Sequence, residues 1–263
     1  MSGKMFNSLG MGRSFVKLTN QFENHNGMQF QTGLNVDPIP FNPKGKCQPG
    51  GIYFCDLYAI PIWLNYNSNP MVFVRSVTIP DDALIYIEKF KYKTDKMILG
   101  ERVKIGDLDV WEDDRYCKRA VINGLALKYV INQTPKICFE AVKQNGLALQ
   151  YVKKQTDDVC FEAVKQNGLA LQYVRKQTPY ICLQAVKQNG LALQYVNEQT
   201  LDICLEAVKQ NGLALQYVNE QTHEICEQAF KQNYRVYQYI QEPTDEMLEE
   251  MLKRLRKLRN SKQ

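Results

Sequence analysis

GLALQYVKKQTDDVCFEAVKQN, residues 146–167, is one of five contiguous 22-residue units that begin at Gly124, Gly146, Gly168, Gly190 and Gly212. Self-similarity at a fixed period of this length marks a stacked array whose units are each too small to bury their own apolar face. A shortened unit, DDRYCKRAVIN at 113–123, precedes the five, and a divergent one, YRVYQYIQEPT at 234–244, follows with Tyr234 in the glycine position. Atypical ends suit such an array, because each terminal unit has one face without a neighbour.

Each unit encodes two short helices. Thr156 stands at an N-cap position with Asp157 and Asp158 in the first turn, and Pro135 and Pro179 follow Thr134 and Thr178 at the first helical position. Val159, Cys160, Ala163 and Val164 form one apolar stripe at helical spacing. This helix is predicted to run to Asn167 and to end on Gly168 as a left-handed C′ residue. The other helix is predicted from Leu147 to about Gln155, apolar nearly all round through Leu147, Ala148, Leu149, Tyr151 and Val152. Both fall below the roughly 12–15 residues at which isolated helices become marginal in water, so their stability must come from stacking.

Six of the eight cysteines, Cys117, Cys138, Cys160, Cys182, Cys204 and Cys226, keep the repeat spacing and therefore read as core positions. Packed helix axes lie about 8–10 Å apart, beyond the roughly 7 Å Cα limit for a disulfide. Buried reduced thiols are expected.

Residues 1–110 differ in texture: they are rich in aromatic and β-branched residues, Gly and Pro, and lack the period. Strands are predicted at 15–18, 28–31, 51–54, 71–79, 84–90 and 96–99, a helix at 56–64, and an ordered loop through NVDPIPFNPKGKCQPGG at 35–51. The fold expected is an α+β N-terminal domain (1–110) followed by an all-α solenoid of short helix pairs (111–243). The tail 244–263 reads as an amphipathic helix with Thr244 as N-cap and an apolar stripe of Met247, Leu248, Met251, Leu252, Leu255 and Leu258. It is expected to cap the open end of the solenoid. Dimerisation, or nuclear import through Lys253, Arg254, Arg256, Lys257 and Arg259, are its alternatives.

The composition narrows the chemistry. The net charge of +5 is spread evenly, which points to no polyanion-binding domain. No apolar run approaches the roughly 20 residues of a membrane span, and an intracellular protein is expected. Two histidines, His25 and His223, lie in different modules, so a catalytic or metal site built on histidine is poorly supported. Cys47, Cys55 and His25 supply three candidate ligands, across a seven-residue gap between the cysteines and without a fourth. No nucleotide-binding or hydrolase motif occurs; catalytic residues, metal and cofactor are all expected to be absent.

Repetition aligns side chains into rows. The lysine row (Lys143, Lys165, Lys187, Lys209, Lys231) follows Glu140, Glu162 and Glu206 by three residues and reads as a salt-bridged face. The tyrosine row (Tyr129, Tyr151, Tyr173, Tyr195, Tyr217, Tyr239) reads as core, with base stacking as its alternative. Positions that vary between units escape packing constraints and are more informative about a ligand. They include Lys153 and Lys154, Arg175 and Lys176, Asn197 and Glu198, and Asn219 and Glu220, a graded edge running from basic to acidic that suits a protein partner.

AVKQNGLALQYV and its repeats resemble the short helical repeats abundant in uncharacterised proteins of Mimivirus-type giant viruses. GLNVDPIPFNPKGKCQPGGIYF and the following FVRSVTIPDDALIYIEKFKYKTDKMIL are similar to the N-terminal module that such viruses also place before ankyrin repeats. The resemblance implies a viral protein in infected-cell cytoplasm or in the virion, and it carries no activity to any residue. The function expected is a non-enzymatic scaffold whose solenoid binds a host or viral protein. Nucleic-acid binding along the lysine or tyrosine row, and an unrecognised activity of the N-terminal module, are the alternatives.

Overall fold

The structure is a computed structural model that describes residues 1–10, 12–25, 27–44, 48–66 and 69–260, with the backbone alone at 25, 65, 66, 69 and 254–260. It divides into two compact units, Met1–Asn132 and Gln133–Gln263.

The first unit opens with α1 (Gly3–Leu9), β1 (Phe15–Thr19), the hairpin β2 (Asn24–His25) and β3 (Met28–Gln29), then β4 (Gly33–Val36) and β5 (Ile52–Asp56). It continues with α2 (Ile60–Trp63), the hairpin β6 (Asn65–Tyr66) and β7 (Asn69–Pro70), β8 (Phe73–Thr78), β9 (Ile85–Ile87), β10 (Tyr92–Thr94) and β11 (Lys96–Lys104). Seven of these strands form one sheet in the order β4-β11-β8-β1-β5-β10-β9. Every pairing in it is antiparallel. Alternating aromatic and β-branched residues put one row of side chains on each face. The row with Ile52, Phe54, Val77, Met97 and Leu99 forms a core that α1 covers through Phe6. The Phe6 ring lies 5.0 Å from Phe15, 5.9 Å from Phe54 and 5.3 Å from Tyr92.

At the end of that face sits a buried ion cluster. Arg75 Nε donates to Glu23 Oε1 at 2.8 Å and Nη2 to Oε2 at 3.1 Å, while Nη1 reaches Gly100 O at 2.7 Å and Thr32 Oγ1 at 3.0 Å. Arg102 approaches the same carboxylate at 3.4 Å. The hydrogen bond from Arg75 holds the Glu23 carboxyl below the usual carboxylate range.

All six predicted strand segments contain strands, and the predicted 56–64 helix appears as a 3₁₀ turn, Leu57–Ala59, running into α2. The helix α1 and the strands β4 and β10 fall outside the sequence reading. β4 is an edge strand inside a stretch dense in turn residues, and its Asn35 bonds back to Gln31 and Gly33. β10 is short and buries a lysine. Lys93 is fully buried, with Nζ donating to the carbonyls of Asn42 at 2.9 Å, Lys44 at 3.4 Å and Gln48 at 2.9 Å, which fastens the long loop to the sheet.

The period of the sequence starts near 111, yet α3 (Asp114–Ala120) and the first 3₁₀ turn, Gly124–Tyr129, belong to the first compact unit. Trp111 supplies the reason. It is fully buried, its indole donates to Ile105 O at 2.6 Å, and its ring lies 5.1 Å from both Tyr116 and Tyr129. We keep 1–110, 111–243 and 244–263 as a proposed division by sequence period.

The second unit repeats one pattern: α4 (Pro135–Gln144), α5 (Asp157–Gln166), α6 (Pro179–Gln188), α7 (Leu201–Gln210) and α8 (His223–Gln232) alternate with 3₁₀ turns. Each helix starts where the sequence says, with Thr134, Thr156, Thr178, Thr200 and Thr222 accepting from the third residue on. Val159, Cys160, Ala163 and Val164 and their counterparts are buried. The described cysteines of the array are free and buried, as expected.

Two expectations need correction. The second short helix of each unit is present as a six-residue 3₁₀-helix, Gly146–Tyr151 in its second copy, and stops short of the predicted end near Gln155. Its i→i+3 bonds, Ala148 N to Asn145 O at 2.9 Å and Val152 N to Leu149 O at 3.1 Å, close before an α-helix could propagate. The glycines are not left-handed either: no repeat glycine has a positive φ. Each helix ends on an extended asparagine, Asn167 at φ −149° and ψ 109°, whose side chain accepts from Leu169 N and caps the turn that follows. The glycine serves close approach instead. A Cβ on Gly146 would stand 2.3 Å from the carbonyl oxygen of Ala163 in the helix that follows, α5.

The last helix is α9 (Asp245–Asn260), begun by Thr244, whose hydroxyl accepts from Met247 N at 3.3 Å. Met247 is buried, Leu248 and Met251 are half-buried and Leu252 is exposed, while the side chains of Leu255, Leu258, Arg254, Arg256, Lys257 and Arg259 lie outside the described residues. Capping by this helix is a proposal that the burial of Met247 supports.

Candidate interaction surface

Two glutamines per unit build the surface. Gln155 donates from Nε2 to Tyr173 O at 2.8 Å, and its Oε1 accepts from Arg175 N at 3.0 Å, so one amide clamps two backbone groups of the next unit. The same pair of bonds recurs from Gln133 to Tyr151 and Lys153, from Gln177 to Tyr195 and Asn197, from Gln199 to Tyr217 and Asn219, and from Gln221 to Tyr239 and Gln241. The thiol of the intervening cysteine donates to the same oxygen, Cys182 to Gln177 at 3.4 Å. These cysteines are thus weak donors as well as small apolar residues, and burial pushes the Cys160 thiol up to about 11. The second glutamine points the other way: Gln166, Gln188, Gln210 and Gln232 accept from the amides of Gly146, Gly168, Gly190 and Gly212 at 2.5–2.8 Å.

Sequence reasoning missed these ladders, although their signal was present as an invariant QT and an invariant QN in the five units. Glutamine on a helix surface ordinarily reads as solvated. Here it satisfies backbone groups that the 3₁₀ turns leave open. Replacing Gln177 by Ala orphans Tyr195 O and Asn197 N. The expected loss is about 1–3 kcal/mol on chemical denaturation, whereas exposed Gln172, whose amide reaches only Leu169 O within its own turn, should change stability by less than about 0.5 kcal/mol when truncated.

The ladder positions the variable turn. Lys153, Lys154, Arg175, Lys176, Asn197, Glu198, Asn219 and Glu220 are all exposed, and they occupy equivalent places in successive units. Their first members are held by backbone bonds to the preceding glutamine. Arg175 is tied further, Nη1 to Lys153 O at 2.8 Å and Nη2 to Val152 O at 3.1 Å. The arrangement is a preorganised edge with two basic turns followed by two acidic ones, able to recognise a charged surface at little ordering cost.

The other rows are less distinctive. The five lysines are exposed, but ion pairs tie Lys165 to Glu162 at 3.7 Å and Lys231 to Glu227 at 2.6 Å. The face they share holds an open groove of about 460 Å³ floored by Leu183 and Leu205, where Lys187 and Lys209 mix with Asp202 and Glu224. The tyrosines are half-buried. Cys55 is buried and its thiol is pushed up to about 12 by burial, while Cys47 and the His25 side chain lie outside the described residues. Among the described residues no three metal-ligating side chains gather, and no helix is long and apolar enough to cross a membrane.

A family profile described as a domain of unknown function, DUF4116, matches residues 134–177, 180–222 and 200–242, the array itself. The chain is 35% identical over 104 residues to the uncharacterized protein R869 of Acanthamoeba polyphaga mimivirus, spanning 37% of this chain and 72% of that protein. It is 28% identical over 119 residues to the putative ankyrin repeat protein R868 of the same virus (43% of this chain, 57% of that protein). The figure is 32% over 105 residues for the putative ankyrin repeat protein R229, covering 36% and 32%. No solved structure matches. Beyond R869 the chain thus spans little more than half, or less, of these relatives. The chain belongs to the family of giant-virus repeat proteins that includes Mimivirus R869.

Proposed function

We propose that the chain is a protein-binding scaffold in the infected cell and that the turn edge from Lys153 to Glu220 is its contact surface. Relatives named as ankyrin repeat proteins support a repeat-based binding role. The observation that carries the reading is the edge itself: eight exposed, unit-variable residues on turns fastened by the glutamine ladder, followed by the equally variable first two residues of each helix, such as Pro179 and Tyr180. A row that packing does not constrain and the backbone nevertheless holds still is where recognition can vary without loss of fold.

Reversing Lys153, Lys154 and Lys176 to Glu while leaving Arg175, which bonds its own backbone neighbours, tests this. Affinity for a partner identified by cross-linking in infected cells should fall at least about tenfold, with the melting transition unchanged. Full retention of capture removes the edge from consideration. Capture of RNA or DNA at low salt, lost steeply as salt rises, would instead assign the lysine row.

A further inference from the structure

The edge changes sign about its middle. Lys153, Lys154, Arg175 and Lys176 make its early half wholly basic, while Glu198 and Glu220 are the charged members of its late half, and the exposed Glu242 extends the acidic end by one unit. Such a row complements itself only when a second row runs antiparallel to it. Parallel pairing sets basic on basic, and antiparallel pairing about a two-fold axis sets basic on acidic at both ends.

Building on the reading of the edge as the contact surface, we propose that one occupant of this edge is a second copy of the same chain, docked antiparallel about a two-fold axis between the Lys176 and Glu198 turns. The axis brings Lys176 opposite Glu198 of the second copy and Lys154 opposite its Glu220, and symmetry repeats both pairs. The units have one period, so a match at the central turns carries to the outer turns without adjustment. Rigidity matters as much as sign. The amides of Lys153, Arg175, Asn197 and Asn219 are each fastened to a glutamine of the preceding unit, so the charges are presented at fixed spacing. Exposed ion pairs are individually weak and screened by salt, so the association is expected to be reversible and salt-sensitive.

The test is the mass of the full-length protein by sedimentation velocity at about 50 mM and about 500 mM NaCl. Wild type should dimerise at low salt and weaken at least about tenfold at high salt. Lys154→Glu with Lys176→Glu, and separately Glu198→Lys with Glu220→Lys, should each be monomeric, because each sets like charges across the axis. Mixed in equal amounts they should form a heterodimer, since all four pairs then join opposite charges, two with the wild-type sign and two with the sign exchanged; that result also shows both variants folded. A wild-type monomer at low salt, or variants that dimerise as wild type does, overturns the proposal. If either happens while reversal of Lys153, Lys154 and Lys176 still abolishes capture of another protein, the edge stands as the contact surface and only the second copy is ruled out. If capture too is unaffected, both readings fall.

Discussion

Replacing Gly168 by Ala is expected to lower the stability of the array by about 3–5 kcal/mol, among the largest effects of any single methyl in this chain. The added Cβ would lie 2.4 Å from the carbonyl oxygen of Ala185, 2.9 Å from Gln188 Oε1 and 3.0 Å from Asn189 Cβ. Two of those atoms are backbone-fixed or pinned by the Gly168 N–Gln188 bond, so the helix α6 has to move away and its ladder bonds lengthen with it. The melting transition should fall by roughly 10 °C. Gly106→Ala serves as the control, because its Cβ would meet Tyr129 at an ordinary 3.4 Å. Asparagine decides between two causes. Were Gly168 a left-handed helix stop, Asn would be tolerated there; a steric requirement makes Gly168→Asn at least as damaging as Gly168→Ala.

Removing Arg75 is the second large effect. Its side chain is 6% exposed and that of Glu23 9%, and once Arg75 is gone the carboxylate keeps the neutral Thr19 hydroxyl at 3.5 Å and a 3.4 Å approach from the more exposed Arg102. Loss of one partner of a buried pair leaves an uncompensated charge, and Arg75→Ala should destabilise the N-terminal unit by about 3–5 kcal/mol. Arg75→Met with Glu23→Gln should recover a large part of the loss. The acid limb of the stability profile reports the same pair. The folded carboxyl is depressed, so its contribution is present above the unfolded value near 4.3 and lost as pH falls through the folded one. In Arg75→Ala burial acts without its main opponent and the folded carboxyl titrates at higher pH. The gap between wild type and variant should therefore narrow on acidification, and a gap independent of pH would mean that Glu23 is already neutral in the folded protein.

The repeats were legible because their chemistry is local. Thr156 caps, Asp157 and Asp158 answer the helix dipole, and the Val159–Val164 stripe buries, all within one turn or two of chain. The graded edge was visible as one of the places where the units vary, beside the first two residues of each helix, and all eight of its residues lie on exposed turns. What escaped is what joins residues about 20 positions apart. Gln155 reads alone as a polar helix residue, and only the stacked neighbour shows its amide bridging Tyr173 O and Arg175 N. The N-terminal sheet was harder. Candidate strands could be marked by composition, but Lys93 argues against a strand until three loop carbonyls are seen around its ammonium.

The sequence by itself determined that residues 124–233 form an array, where each of its helices starts, which stripe each buries and that the array's cysteines are buried in its core, because period, caps and amphipathic spacing act over a few residues. Only the tertiary structure decided that the glycines are spacers for the next helix's carbonyl, that the second helix is of 3₁₀ type, and that one glutamine ladder fastens unit to unit while the other ties each helix to the turn before it. Those depend on how closely one helix and turn approach the next, a distance set by packing across the stack between residues 18 to 20 positions apart, which local chain chemistry does not contain.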